Sequence, residues 1–186
     1  MRSRVETNAG DRREMNEVDA ALAALSTAIQ EFADSMPVVD EDWRRRPADD
    51  SWSSSQIVEH VARSLEESAK VVAGEASGLP RLPGPLRWLL RVVFVRRILR
   101  GGRFPRGRTV PVLDPEFGPE SAEEGRRRLD EALERMVRSC RSPAASNGVV
   151  QSPIVGRLGL ADFLRLQAGH VRHHRAQLRR GARESE

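Results

Sequence analysis

The sequence predicts an all-α protein: a four-helix bundle with a long crossover, carrying a short extra helix, between helices 2 and 3. Three observations lead there. Four segments place apolar residues at alternating steps of three and four, the period of a helix with one buried face. No apolar/polar alternation of the strand type runs beyond a few residues, and no internal repeat is present. A Pro- and Gly-rich stretch, Leu79 to Pro119, separates the second such segment from the third. At 186 residues the chain fits one domain with its own core. The bundle is expected over residues 16–180, with flexible polar tails at 1–15 and 181–186.

The first helix is expected from Asn16 to Met36, through Val18, Leu22, Leu25, Ile29, Phe32 and Met36. Asn16 is its candidate N-cap and Pro37 its stop. Trp43 and Trp52 follow, read as core anchors at the mouth of the second helix. Ser53 and Gln56 fit a capping box, in which each side chain covers a free backbone N–H of the other. The helix they open buries Ile57, Val58, Val61, Leu65, Ala69 and Val72 and ends near Gly74–Gly78. The short crossover helix falls near Leu86–Leu99. Ser121 and Glu124 form a second candidate capping box, with Glu120, Glu123 and Glu124 complementing the helix dipole. That third helix runs to about Ser139 through Leu129, Leu133, Met136 and Val137. Ser142–Gly159 reads as a loop, and the fourth helix as Leu160–Arg179.

Composition excludes several classes. With 39% apolar and 31% charged residues, the chain is neither disordered nor membrane-spanning in character. Three Trp, five Phe and no Tyr are few for a base-stacking surface, so no nucleic acid is expected as partner. Met1–Glu17 lacks the apolar run of a signal peptide, and Leu86–Leu99, cut by Arg87, Arg91, Arg96 and Arg97, is too short and charged for a transmembrane segment. The single cysteine, Cys140, cannot form an internal disulfide, which favours a cytoplasmic location. It reads as a small buried residue rather than a nucleophile.

Charge is unevenly placed. Arg81–Arg108 holds nine arginines and no acid, so a chain of net +4 leaves −5 for everything else. Lys70 is the only lysine, which points to the codon bias of a GC-rich genome and weakens the high pI as a sign of nucleic-acid binding. The insert's apolar residues, Trp88, Leu89, Leu90, Val92, Val93, Phe94, Val95, Ile98 and Leu99, are too many for a solvated linker. They are expected to pack on the bundle or on a second subunit of a homodimer. Contact with anionic lipid or nucleic acid is set against this because the arginines scatter around a helical projection.

The chain has four histidines, and three crowd into one turn of the fourth helix: His170, His173 and His174. With His170 at 0° and about 100° per residue, Phe163 falls near 20°, His174 near 40°, Gln167 near 60°, and Leu160 and Leu178 near 80°. The two histidines therefore share the apolar face with Gln167, where an unsatisfied polar group is costly. His173 lies at the margin of that face. His60, at the edge of the second helix's apolar stripe, can supply a third nitrogen across the bundle. Imidazole nitrogen suits Zn²⁺, Ni²⁺ or Fe²⁺, and three protein ligands with an open position is a catalytic pattern. The zinc-protease helix is excluded: it needs a Glu directly after the first His, and here that residue is Val171.

The pattern Trp43…Pro47…Trp52-Ser53…Glu59-His60-Val61, followed by Phe163-Leu164-Arg165-Leu166-Gln167…His170-Val171-Arg172-His173-His174-Arg175-Ala176-Gln177-Leu178, resembles the DinB/YfiT-like superfamily over about residues 16–180. The resemblance implies a divalent metal held by His60, His170 and His174, with Gln167, His173 and Gln177 around it. It also implies relatives that act with low-molecular-weight thiols on small-molecule substrates as S-transferases or isomerases. One departure stands out: the His-Pro-x-Phe-Gly expected before the last helix reads Ser152-Pro153-Ile154-Val155-Gly156. Two functions follow as expectations. One is a metal-dependent thiol S-transferase or hydrolase with no catalytic acid or base identified in the sequence. The other is a non-catalytic bundle with a vestigial site, acting as an interaction or stress-response module.

Overall fold

The computed structural model of the protein describes residues 2–36, 43–48, 51–102, 104 and 109–183. In chain order the elements are helix α1 (Arg2–Ala33), α2 (Ser54–Val72), α3 (Gly84–Leu89), α4 (Arg96–Leu99) and α5 (Ala122–Cys140). Strands β1 (Val149–Ser152) and β2 (Gly156–Gly159) and helix α6 (Leu160–Arg183) complete them. A π turn, Leu90–Val95, joins α3 to α4. Among the described residues the chain is mostly helical, with one small antiparallel hairpin.

The four long helices share one core. Leu25, Ile29 and Phe32 of α1, Val58, Val61 and Leu65 of α2, Leu129 and Met136 of α5, and Phe163, Leu164 and Val171 of α6 are all buried in it. Each such side chain contributes about 1.5–3 kcal/mol on leaving water. The most extensive pairings are α1 with α6 and α2 with α5, and α2 also contacts α6. Gly125 of α5 makes room for Trp43, because a Cβ there would stand 2.9 Å from the Trp43 ring. Between α2 and α5, Arg128 meets Glu66 through both guanidinium ends (2.9 and 2.8 Å) and Glu59 through Nε (3.2 Å).

Both ends of α2 are built as its sequence demands. Ser53 Oγ accepts from Gln56 N and Gln56 Oε1 accepts from Ser53 N, the full reciprocal box. At the other end Gly74 takes φ 72°, and Glu75 N donates to Lys70 O, satisfying a last-turn carbonyl. Glu67 then holds the exit: its carboxylate pairs with Lys70 Nζ and accepts from Gly78 N, both at 2.6 Å.

Several expectations change. Helix α1 begins at Arg2, so Asn16 lies inside it and caps nothing; no proline interrupts the segment, and a helix nucleated on the core propagates through it. Pro37, the expected stop, lies outside the described residues. The second capping box is half formed: Ser121 Oγ accepts from Glu124 N, but Glu124 Oε2 turns to Glu120 N. Ser142–Gly159 is not wholly loop, since β1 and β2 pair with Val149 opposite Gly159 and Ser152 opposite Gly156. Ser152 Oγ accepts from Ile154 N and Val155 N, and Gly156 adopts φ 74°, which together close the turn.

The crossover packs with one face only. Val95 and Ile98 are buried with Val155 of the hairpin and Leu166 of α6, flanked by Leu90, Phe94, Leu99 and Phe104. Leu86, Trp88, Leu89 and Val93 remain exposed. The expected packing against protein thus holds for the inner face, while the outer face is uncovered among the described residues.

Candidate metal centre

His60 stands two turns into α2, and His170 and His174 stand on successive turns of α6, so the α2–α6 contact brings them together. His60 and His174 are buried, His170 partly so. His170 Nε2 lies 3.3 Å from His60 Nε2 and 3.0 Å from His174 Nε2. One nitrogen from each ring lies within 4.8 Å of the others, close enough for all three to hold one metal ion. Two nitrogens at about 2.0–2.1 Å from a shared tetrahedral ion would stand about 3.3 Å apart, close to the observed separations.

The outward nitrogens are occupied, and this fixes what the inward ones present. His60 Nδ1 is 2.8 Å from Leu113 O, an acceptor only, so Nδ1 carries the proton and Nε2 keeps its lone pair. His174 Nδ1 donates to Gln177 Oε1 at 2.7 Å, again leaving Nε2 bare. His170 Nδ1 meets Ser64 Oγ at 3.3 Å. A proton on His170 Nε2 can serve one of its two neighbours but not both. A cation at the focus satisfies all three, so the donor set fits a metal of the imidazole-binding kind.

Electrostatics agree. Burial holds His60 below the usual imidazole range, against the opposing pull of its hydrogen bond to Leu113 and the charge of Asp114. Burial, then the neighbouring His174 and His60, hold His170 well below it. Burial and His60 push His174 down to about 3. All three are therefore neutral at physiological pH and have lone pairs to offer.

The shell around them is built from the crossover's return and from aromatic rings. Trp43 Nε1 and Ser55 Oγ both donate to Pro119 O at 2.7 Å, and Gln56 Nε2 donates to Pro115 O and Glu116 O at 3.1 Å. These bonds stitch residues 113–119 to the start of α2 and set the Leu113 carbonyl against His60. Gly118 is required there, because a Cβ would fall 2.2 Å from Ser55 O. Trp52 lies against His60 with its ring tilted (centroids 4.6 Å) and stacks more distantly on His174 at 6.3 Å. Phe104 flanks His170 and His173 at 5.3 and 5.7 Å. Beyond Trp52 opens a pocket of about 390 Å³ lined by Arg46, Ser51, Gln56, Asp114, Pro115 and Glu116.

The sequence-derived residues thus divide. His60, His170 and His174 converge. Gln177 bonds His174 and lies 3.4 Å from His173 Nε2, which keeps His173 at the rim. Gln167 is buried on the same helix, yet no hydrogen bond among the described residues joins it to the cluster. Ser152, where a histidine was expected, is buried in the hairpin turn described above. Sequence reasoning missed Ser64, although its i+4 spacing from His60 puts it on the same face. It also missed the Leu113 carbonyl, which no side-chain pattern announces, and it read Trp52 only as a core anchor.

Fold and site together define a helical protein with a buried three-histidine cluster able to hold one metal ion. The chain belongs to the DinB superfamily, whose family model matches residues 21–178. Comparison with curated proteins and with solved structures gave no match.

Proposed function

We propose that the protein is a DinB-type four-helix bundle that holds one divalent metal, Zn²⁺, Ni²⁺ or Fe²⁺, through Nε2 of His60, His170 and His174. The observation that carries this reading is the convergence of three Nε2 atoms whose rings are anchored from behind by Leu113 O, Ser64 Oγ and Gln177 Oε1. Such second contacts orient imidazole ligands and raise their basicity. When bound, the metal supplies a Lewis acid that lowers the pKa of a thiol or water at its open position.

The chain's own residues supply the rest. Trp52 and Phe104 shield the rings from solvent. Arg46, whose Nε donates to Gln56 Oε1 at 3.2 Å, lines the pocket beside Trp52 and offers a cation to an anionic group on a small molecule. The function that fits best is thiol S-transfer, with hydrolysis as a second metal-assisted route. Cys140 is no candidate nucleophile, since burial pushes its thiol up to about 11.

The test is metal content of protein purified without a histidine tag, alongside thiol-dependent consumption of a small electrophile. About one metal per chain is expected, lost in His174→Ala. Metal-free wild type that resists reloading would overturn the reading. A loaded protein inert towards thiols and esters would leave an interaction module with a structural metal.

A further inference from the structure

Of the exposed large hydrophobic side chains among the described residues, Leu86, Trp88, Leu89 and Val93 all fall in the crossover segment α3–π turn–α4, at 41%, 58%, 48% and 58% exposure. Their clustering is not a matter of local sequence alone. The opposite face is fixed to the hairpin and to α6 through Val95, Ile98, Val155 and Leu166, so the segment is held with this side outward. Further along the same segment, past the π turn, Arg96, Arg97 and Arg100 are exposed as well. The outer side is therefore apolar at its start and basic at its end. Arg87 and Arg91, which scatter the charge on a simple helical projection, are half-buried, and Arg91 donates to Arg157 O at 3.0 Å. No acid occurs from Arg81 to Arg108, in a chain whose remainder is net negative.

We propose that this outer face docks on an anionic membrane surface, with Trp88, Leu89 and Val93 in the interfacial layer and Arg96, Arg97 and Arg100 against lipid headgroups. Apolar burial and attraction to anionic lipid act together in such surface binding. No helix among the described residues is long and apolar enough to cross a membrane, so the segment lies on the surface rather than through it. A second copy fits less well: in a two-fold contact the basic end meets either its own copy or the apolar end of the same patch, and neither neutralises the arginines. A nucleic-acid duplex would engage the arginines but gain nothing from Leu89 and Val93.

The test is co-flotation of the full chain, at about 0.1 M salt, with vesicles of phosphatidylcholine alone or with about one-quarter phosphatidylserine. Binding is expected only to the anionic vesicles. Trp88→Ala with Val93→Ser should weaken it about tenfold or more, and each of Arg96→Gln, Arg97→Gln and Arg100→Gln about fivefold. Metal content and circular dichroism, read on every variant, separate lost docking from lost folding, and these surface changes should leave both unaltered. No flotation on anionic vesicles overturns the proposal. So does binding that ignores the Trp88 and Val93 changes, preference for duplex DNA over vesicles, or a dimer in solution that the same changes dissolve.

Discussion

His60 Nε2 and His170 Nε2 stand 3.3 Å apart although 110 residues of chain separate them. A proton on His170 Nε2 can bridge to His60 or to His174 but not to both, so without a cation one pair of lone pairs faces unbridged. A cation at the focus satisfies all three nitrogens, and metal binding should read out as stability.

Chelation should lower the melting temperature, and added Zn²⁺ or Ni²⁺ should restore it. A metal present at a hundredfold excess over its Kd stabilises by about 2.7 kcal/mol, or about 5–10 °C in a chain of this size. His170→Ala should melt at one temperature with or without metal. Differential scanning fluorimetry on both proteins decides it; an equal response in the two would remove His170 from the site.

The residues behind the ligands should matter less than the ligands but measurably. Gln177→Ala and Ser64→Ala each remove the partner of one imidazole Nδ1, and each should weaken metal binding about 10–100-fold while keeping one metal per chain. Competition with a chromogenic chelator gives the number. Unchanged affinity in both would mean that packing alone orients the rings.

Acid should act through the same histidines. Their folded-state pKa values are lowered, His174 to about 3, so below about pH 6.5 the unfolded chain binds protons that the native metal-free protein refuses. Stability of the metal-free form should then fall as pH drops through that value, by up to about 1.4 kcal/mol per pH unit for each such histidine. Apparent metal affinity should fall over the same window only as far as the metal-free protein unfolds, because its folded form refuses those protons. Urea melts of the metal-free protein between neutral and acid pH test the sign; a flat stability profile would contradict it.

Gly118→Ala should destabilise the fold by about 1–3 kcal/mol, as forced overpacking does, since its Cβ would meet Ser55 O. Because residues 113–119 also present the Leu113 carbonyl to His60, metal affinity should drop with it. An Ala variant of wild-type stability and affinity would show that this loop has slack.

Cys140, with its thiol pushed up to about 11 by burial, should alkylate at least about tenfold more slowly in the native protein than in denaturant near pH 8. Equal rates would return it to the list of candidate nucleophiles.

What the sequence made legible follows its periodicities. The α2 stripe and its Ser53–Gln56 box appear as read, because capping chemistry and helical spacing are local. The histidine cluster was visible because His170 and His174 share a helix face and only one distant histidine, His60, exists to join them. His60 itself sat at the edge of its stripe, and its burial comes from α6, Trp52 and the Leu113 segment, none of which the α2 periodicity announces. The hairpin escaped notice because strands as short as Val149–Ser152 and Gly156–Gly159 hold too few residues for alternation to rise above chance. The outer face of the crossover was hidden for another reason. A projection of Arg87–Arg100 cannot tell which arginines the hairpin half-buries.

The pairing of α1 with α6 has a consequence in time. A ribosome adds roughly 5–20 residues per second, so on the order of 5–20 seconds pass between the synthesis of His60 and that of His170. Throughout that interval α1 lacks α6, its main partner, and can cover Leu25, Ile29 and Phe32 only through its lesser contact with α5, and His60 has no second imidazole beside it. The nascent chain is thus most exposed to aggregation before α6 exists, and its last long helix is the one that both closes the core and brings the three histidines together.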